Sequence, residues 1–268
     1  MRGTMMRKNG LLMKRVVCAC LFCAFFLVAI PGGAATRIKV LDFNIRKSGE
    51  LAGYQVKPFA DLILEEKPDL VALQEVDYRM SRSGNKDFLT ELAANTGMFP
   101  VFAKAIETDG GEYGVAVLSK YPVANSKIVP LSAPDGTKER RVALVCDVEF
   151  PDGEMVRFVS THLDNSTDEV RTEMVRDLNS SNVISGNNPV LLCGDFNATP
   201  QEDAVAAGMT RWKLVGDVAN TFPASRPTSK IDYIFAYPSS RWNVFSYRVG
   251  GNTISDHCYI ISEVEWER

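Results

Sequence analysis

A layered α/β fold with mixed sheets is the fold class this 268-residue sequence predicts. Three observations carry the expectation. Short apolar strand-like runs outnumber helical repeats, and the chain beyond its leader opens as β-α-β. Pro151-Asp152-Gly153 marks a hairpin, which needs antiparallel neighbours and so disfavours a purely parallel doubly wound sheet. With 46% hydrophobic and 24% charged residues the balance is globular, excluding disorder and collagen-like structure. No Pro/Gly/Ser linker, low-complexity stretch or internal repeat interrupts residues 36–268, which read as one domain.

In chain order, the first 35 residues stand apart. Arg2, Arg7, Lys8, Lys14 and Arg15 occur there without any acidic residue, ahead of the apolar run at 16–30. Pro31-Gly32-Gly33-Ala34-Ala35 then supplies helix breakers and small residues, the layout of a secretory signal peptide. An apolar run that short is a poor membrane span. Residues 1–35 are therefore expected to direct export to the periplasm or outside, an uncleaved anchor being the alternative; neither Cys20 nor Cys23 follows a convincing lipobox. Losing the five basic residues takes the formal charge from -3 to -8.

Strands are expected at 37–43 and 70–74. Between them Val56, Phe59, Ala60 and Ile63 follow the i, i+3, i+4, i+7 spacing of an amphipathic helix. Further strand-like runs lie at 115–118, 142–148, 156–161, 190–193, 231–235, 244–248 and 259–264. A helix is predicted from Thr167 to about Ile184, behind Ser166 or Thr167 as N-cap. Cys146, Cys193 and Cys258 sit in apolar runs without close pairing, which reads as buried small side chains rather than zinc or a disulfide framework.

The chemistry lies where polar groups end apolar strands. Asn44, Glu75, His162, Asp195 and Asn197 all stand at such ends, and His257, one of only two histidines, follows Asp256 at the mouth of another apolar run. Acids, amides and imidazoles on rigid strand ends suit phosphate chemistry, in which developing charge is stabilised from several sides.

These residues carry a resemblance. Leu41-Asp42-Phe43-Asn44, Leu73-Gln74-Glu75-Val76, Tyr113-Gly114-Val115-Ala116-Val117-Leu118-Ser119, Ser160-Thr161-His162-Leu163, Gly194-Asp195-Phe196-Asn197-Ala198-Thr199-Pro200, Ile231-Asp232-Tyr233-Ile234 and Ser255-Asp256-His257 occur in family order. Together they make the chain resemble the endonuclease/exonuclease/phosphatase superfamily over nearly all of 36–268. The resemblance implies a four-layer α/β sandwich with two packed mixed β-sheets that hydrolyses phosphate esters with a divalent metal. Glu75 would be the principal metal ligand with Asn44, and Asp256 would lie on the metal side; these hard oxygens suit Mg²⁺, with Mn²⁺ or Ca²⁺ as alternatives. Asp195 and Asn197 would orient or deprotonate the attacking water. His257, held by Asp232, would act on the phosphate oxygens, and His162 on the scissile phosphate or leaving group.

Glu112 is the orienting partner the resemblance suggests for His162, a solvated loop acid being the alternative. Arg46 stands where the abasic-site branch has an acid; a cation cannot ligate metal but can grip a phosphate. Arg141 invites the same pair of readings, phosphate contact or structural residue. Asp164-Asn165-Ser166-Thr167 is expected to cap the following helix.

The function expected is a secreted metal-dependent phosphoric ester hydrolase using direct attack of an activated water. The acidic balance and absence of a Lys/Arg cluster favour small-molecule or lipid-linked phosphate esters over nucleic acid as the partner. The alternatives are an extracellular nuclease and a binding module that has lost turnover, which would require a broken metal or water-activating position.

Overall fold

The computed structural model describes residues 37–184 and 188–267. The leader expected at 1–35 lies outside them. Among the described residues, twelve strands form two six-stranded sheets. They are β1 (Arg37–Asn44), β2 (Leu70–Tyr78), β3 (Phe99–Thr108), β4 (Gly111–Ser119), β5 (Val123–Pro130), β6 (Val142–Glu149), β7 (Met155–His162), β8 (Val190–Asp195), β9 (Lys213–Leu214), β10 (Asp232–Tyr237), β11 (Trp242–Gly250) and β12 (Tyr259–Trp266). One sheet runs β11-β12-β1-β2-β4-β3, the other β5-β6-β7-β8-β10-β9. Each has one parallel pair at its centre, β1–β2 and β7–β8, among antiparallel neighbours, so both are mixed.

Burial on both faces explains why the central strands read as nearly continuous apolar runs. Val40, Ala72, Val117, Leu144, Phe158, Cys193, Ile234 and Ile260 face into a cluster between the sheets. A second cluster packs one sheet under the helix Asp168–Leu178, and a third packs the other under the helices Lys57–Glu66 and Phe88–Thr96. Helix, sheet, sheet and helix thus stack in four layers. The helix Lys57–Glu66 buries Phe59, Ala60 and Ile63, three positions of the predicted stripe. The hairpin also forms: Gly153 takes φ +80° between β6 and β7, its N–H donating to Phe150 O.

Several expectations need correction. The helix starting after Thr167 stops at Leu178, not near Ile184. Asn179 donates to Val175 O and Gly208 O, and Ser180 Oγ to Asp177 O. Such polar side chains compete for the carbonyls that would continue the helix. β3, β5 and the helix Phe88–Thr96 had no predicted counterpart. β3 and β5 are edge strands whose charged and exposed residues blur the alternation a one-sided strand would show.

The parallel pairs aim their carboxyl ends at one place. Register pairs Asn44 with Gln74 and His162 with Asp195, and Asp195 with Asp232 on its other side. Gly194 permits the close approach of β7 to β8, since a Cβ there would stand 2.2 Å from Thr161 O. Gly194→Ala should therefore destabilise the fold by about 1–3 kcal/mol, read from urea midpoints. Displacement beside the His162–Asp195 pair should also reduce activity, whereas unchanged midpoints would show that the strands can separate without loss.

Candidate active site

Asn44 ends β1, fully buried, and its Nδ2 donates to Glu75 Oε1 at 3.1 Å and to Asp195 Oδ2 at 3.0 Å. Glu75 lies in a β-bulge of β2, where the register shifts between Leu73 and Val76, with φ +59°. A bulge with a left-handed residue re-aims the side chain out of the strand's alternation. Its Oε2 accepts from Lys47 N at 3.2 Å. Lys47 belongs to a left-handed turn in which Arg46, Lys47, Ser48 and Gly49 all have positive φ. Such backbone costs roughly 1–2 kcal/mol per non-glycine residue. It is secured by Arg46 N on Asn44 Oδ1 (3.0 Å), Asp77 N on Ser48 Oγ (2.8 Å) and Gly49 N on Ile45 O (2.8 Å).

Asp195, at the end of β8, is the hub. Its Oδ1 accepts from Asn197 N at 2.8 Å, Asn197 itself being left-handed at φ +47°. Its Oδ2 lies 3.4 Å from His162 Nε2 and 3.6 Å from His257 Nε2. His257 Nδ1 meets both oxygens of Asp232 at 3.0 and 3.1 Å, and its ring packs on Phe222. His162 Nδ1 faces Arg141 Nη1 at 3.1 Å, and its Nε2 faces Asn197 Nδ2 at 3.0 Å.

The two imidazoles are driven in opposite directions. Burial, then the Arg141 guanidinium and His257, hold His162 well below the ordinary histidine pKa. At His257 burial acts in that sense too, but Asp232 and Asp195 outweigh it and push the pKa up to about 10. Burial and the neighbouring Asp232 raise Asp195 to about 7, against His257. Because His257 is raised above its unfolded value, its stabilisation is complete below about pH 6.5 and is lost as pH rises through 10. In chelator, urea midpoints should fall between about pH 7 and 10, and fall less in Asp232→Asn. Equal slopes in the two proteins would show that Asp232 does not hold the imidazolium.

Arg46 and Glu112 differ from their simplest readings. Arg46 donates through Nε to Glu50 at 2.8 Å and through Nη1 to Asp256 Oδ2, so its charge is already shared by two carboxylates at the site. Glu112 does not orient His162. It ion-pairs with Lys104 at 3.3 Å across β3 and β4, while the imidazole takes Arg141 and Asn197 instead. Asp164, buried after β7, accepts from the N–H groups of Lys138, Glu139 and Ser166, and Thr167 caps the helix through Val170 N. The Asp164 bonds fix the loop that delivers Arg141.

Three participants went unread. Asp42 lies behind the site, fully buried; it accepts from Gln74 Nε2 at 2.8 Å and its Oδ2 has no partner. Burial, then the Asp232 charge, holds its pKa well above the carboxylate range. Lys230, whose Nζ donates to Tyr247 OH at 2.7 Å, is pushed down to about 8 by burial, against Asp232 and Asp42. Glu50 balances Arg46. An acid inside an apolar run, as at Asp42, was the one sequence signal available.

The donor set suits a hard divalent ion. Asp256 Oδ1 is buried without a partner, Glu75 accepts only from neutral groups, and Asn44 Oδ1 accepts a single N–H and keeps a lone pair. Asp195, Asp232 and His257 also bring three ligand atoms within 4.8 Å, a buried group able to hold a metal.

Strand ends from two packed sheets thus converge on paired imidazoles, acids and amides. The model of the Endonuclease/Exonuclease/phosphatase family matches residues 43–257, and the chain belongs to that family. It is similar to the Escherichia coli protein YbhP, 26% identical over 221 residues, covering 75% of this chain and 85% of that one. Among solved structures it resembles an endonuclease/exonuclease/phosphatase from Bacteroides vulgatus, at 22% identity and TM-score 0.72, covering 87% of this chain and all of that one. A mannosyl-6-phosphatase from Bacteroides thetaiotaomicron shares 18% identity at TM-score 0.69, covering 85% and 99% of the two chains. These structural likenesses show the fold.

Proposed function

We propose that this protein is an exported, metal-dependent phosphoric ester hydrolase acting on small-molecule or lipid-linked phosphate esters by in-line attack of an activated water. One observation carries the reading: a single carboxylate oxygen of Asp195 stands between two imidazoles, one set against the Arg141 guanidinium and the other against the Asp232 carboxylate, which drive their pKa values apart. Environments that push paired groups apart in pKa mark an acid and its counterpart. His257, charged and braced by Asp232, donates to the phosphate oxygens as negative charge develops. Asp195 and Asn197 orient the water, and Asp195 takes its proton. His162 holds the phosphate or the leaving oxygen, and no covalent intermediate is needed.

Glu75, Asn44 and Asp256 would hold the ion, Mg²⁺ in the first instance. Once bound, such an ion supplies Lewis-acid stabilisation of the phosphoryl oxygens. Arg46, shared between Glu50 and Asp256, brings a guanidinium beside the residues that would hold the ion. Export rests on the residue pattern of 1–35. The small-ester preference is supported by the formal charge of -8 over residues 36–268, and agrees with the sugar phosphatase among the similar structures.

The test is a screen of bis-p-nitrophenyl phosphate, inositol phosphates, sphingomyelin and plasmid DNA with Mg²⁺ and with chelator. Chelator-sensitive hydrolysis of a small or lipid ester, with a shallow salt dependence, is expected. Preference for DNA with a steep salt dependence would establish the nuclease reading, and no turnover of any ester would establish the silent module.

A further inference from the structure

His162 has a neighbour on each ring nitrogen, and the two make incompatible demands. A neutral imidazole carries one N–H and one acceptor nitrogen. Arg141 Nη1 stands 3.1 Å from Nδ1, and a guanidinium only donates, so Nδ1 must accept there. Asn197 Nδ2 stands 3.0 Å from Nε2 and would make Nε2 the acceptor instead. The contest is unequal. Arg141 offers a charged donor, whereas the Asn197 amide, whose other hydrogen serves Leu163 O at 2.9 Å, offers a neutral one, and Asp195 Oδ2, 3.4 Å from Nε2, can accept from an N–H on that nitrogen. Arg141 is itself buried, ion-paired with Glu139 at 2.7 Å, on the loop that Asp164 ties down. It cannot turn over to offer an acceptor.

We propose that Arg141 is a positioning residue whose donor-only guanidinium fixes His162 in the Nε2–H tautomer, so that this ring presents a neutral hydrogen-bond donor to the phosphate. The proposal rests on the hydrolase reading for its consequence, but not for its geometry. It divides the labour of the imidazoles. His257, set against a carboxylate, brings charge, while His162, set against a cation, brings a directed N–H and no proton to give away. An acid in Arg141's place would accept from Nδ1–H and turn a lone pair towards the site.

With two histidines in the chain, ¹⁵N spectra of the untagged full-length protein contain two imidazoles. In the wild type, one ring, assigned through His162→Gln, should show Nδ1 unprotonated and Nε2 protonated. In Arg141→Met that preference should weaken or reverse as Asn197 prevails, and kcat should fall about tenfold to a hundredfold. Arg141→Lys, also donor-only, should keep the tautomer and recover most of the rate. A wild-type ring protonated at Nδ1 would overturn the proposal. So would an Arg141→Met ring of unchanged tautomer with a lost rate, because the guanidinium would then act on the phosphate directly. Should Arg141→Met not fold, the wild-type and Arg141→Lys spectra still decide. The expected tautomer in a protein that hydrolyses no ester would uphold the geometry and end the hydrolase reading instead.

Discussion

His257→Ala is expected to lower kcat/KM for the preferred phosphate ester by about 10²–10⁴-fold, the range spanned by a positioned acid or base. The ring is held from three directions: Asp232 on Nδ1, Asp195 near Nε2, and the Phe222 ring against its face. That packing fixes where its N–H points, and the two carboxylates keep it charged. Removing it strips the phosphate of a cationic donor and leaves Asp232 buried without its partner. An unpaired buried carboxylate is costly, so part of any loss of function could reflect folding. His257→Gln separates the effects by keeping a donor near Asp232 without the imidazolium. Its thermal unfolding should stay closer to wild type while its rate remains low. Full activity in either variant would remove His257 from the chemistry.

How much of this site could be read from the sequence depended on where each residue's partners lie. Strand ends were legible because a polar residue closing an apolar run is a local feature; Asn44, His162 and Asp195 were found that way, and the structure sets them within one hydrogen-bonded cluster. What was not legible is which residue each side chain meets. The partner of His162 comes from a loop 21 residues away, and Arg46 finds Asp256 across 210 residues. Such pairs are decided by the packing of the sheets, not by spacing along the chain. The same limit hid β3 and β5, whose edge positions relax the demand for alternation, while β1, β2, β7 and β8 announced themselves because both faces are covered. Although the chain shows no sequence repeat, its sheets are built alike, each with a central parallel pair spanned by a helix. Asn44 and Glu75 come from one such pair, His162 and Asp195 from the other. Only topology brings the two sets together.

Glu75→Gln is expected to have the second large effect, and to act through affinity for the ion. The carboxylate sits at φ +59° in a bulge, one oxygen accepting from an amide and the other from a backbone N–H. Neither partner is charged, so the negative charge remains available to a cation. Glutamine has the same shape but presents an N–H₂ where both neighbours donate. One hydrogen bond is lost, which should lower stability by about 0.5–1.5 kcal/mol and leave the fold intact. The rate should fall far more, by about 10³-fold or beyond, if several kcal/mol of charge stabilisation go with the ion. Titration calorimetry with Mg²⁺ distinguishes this from loss of a proton acceptor: the glutamine variant should bind the ion weakly or not at all, whereas Asp195→Asn should bind it while remaining slow. Should Glu75→Gln bind Mg²⁺ as the wild type does, the ion belongs to the Asp195, Asp232 and His257 group instead, and the assignment of Glu75, Asn44 and Asp256 as its holders fails.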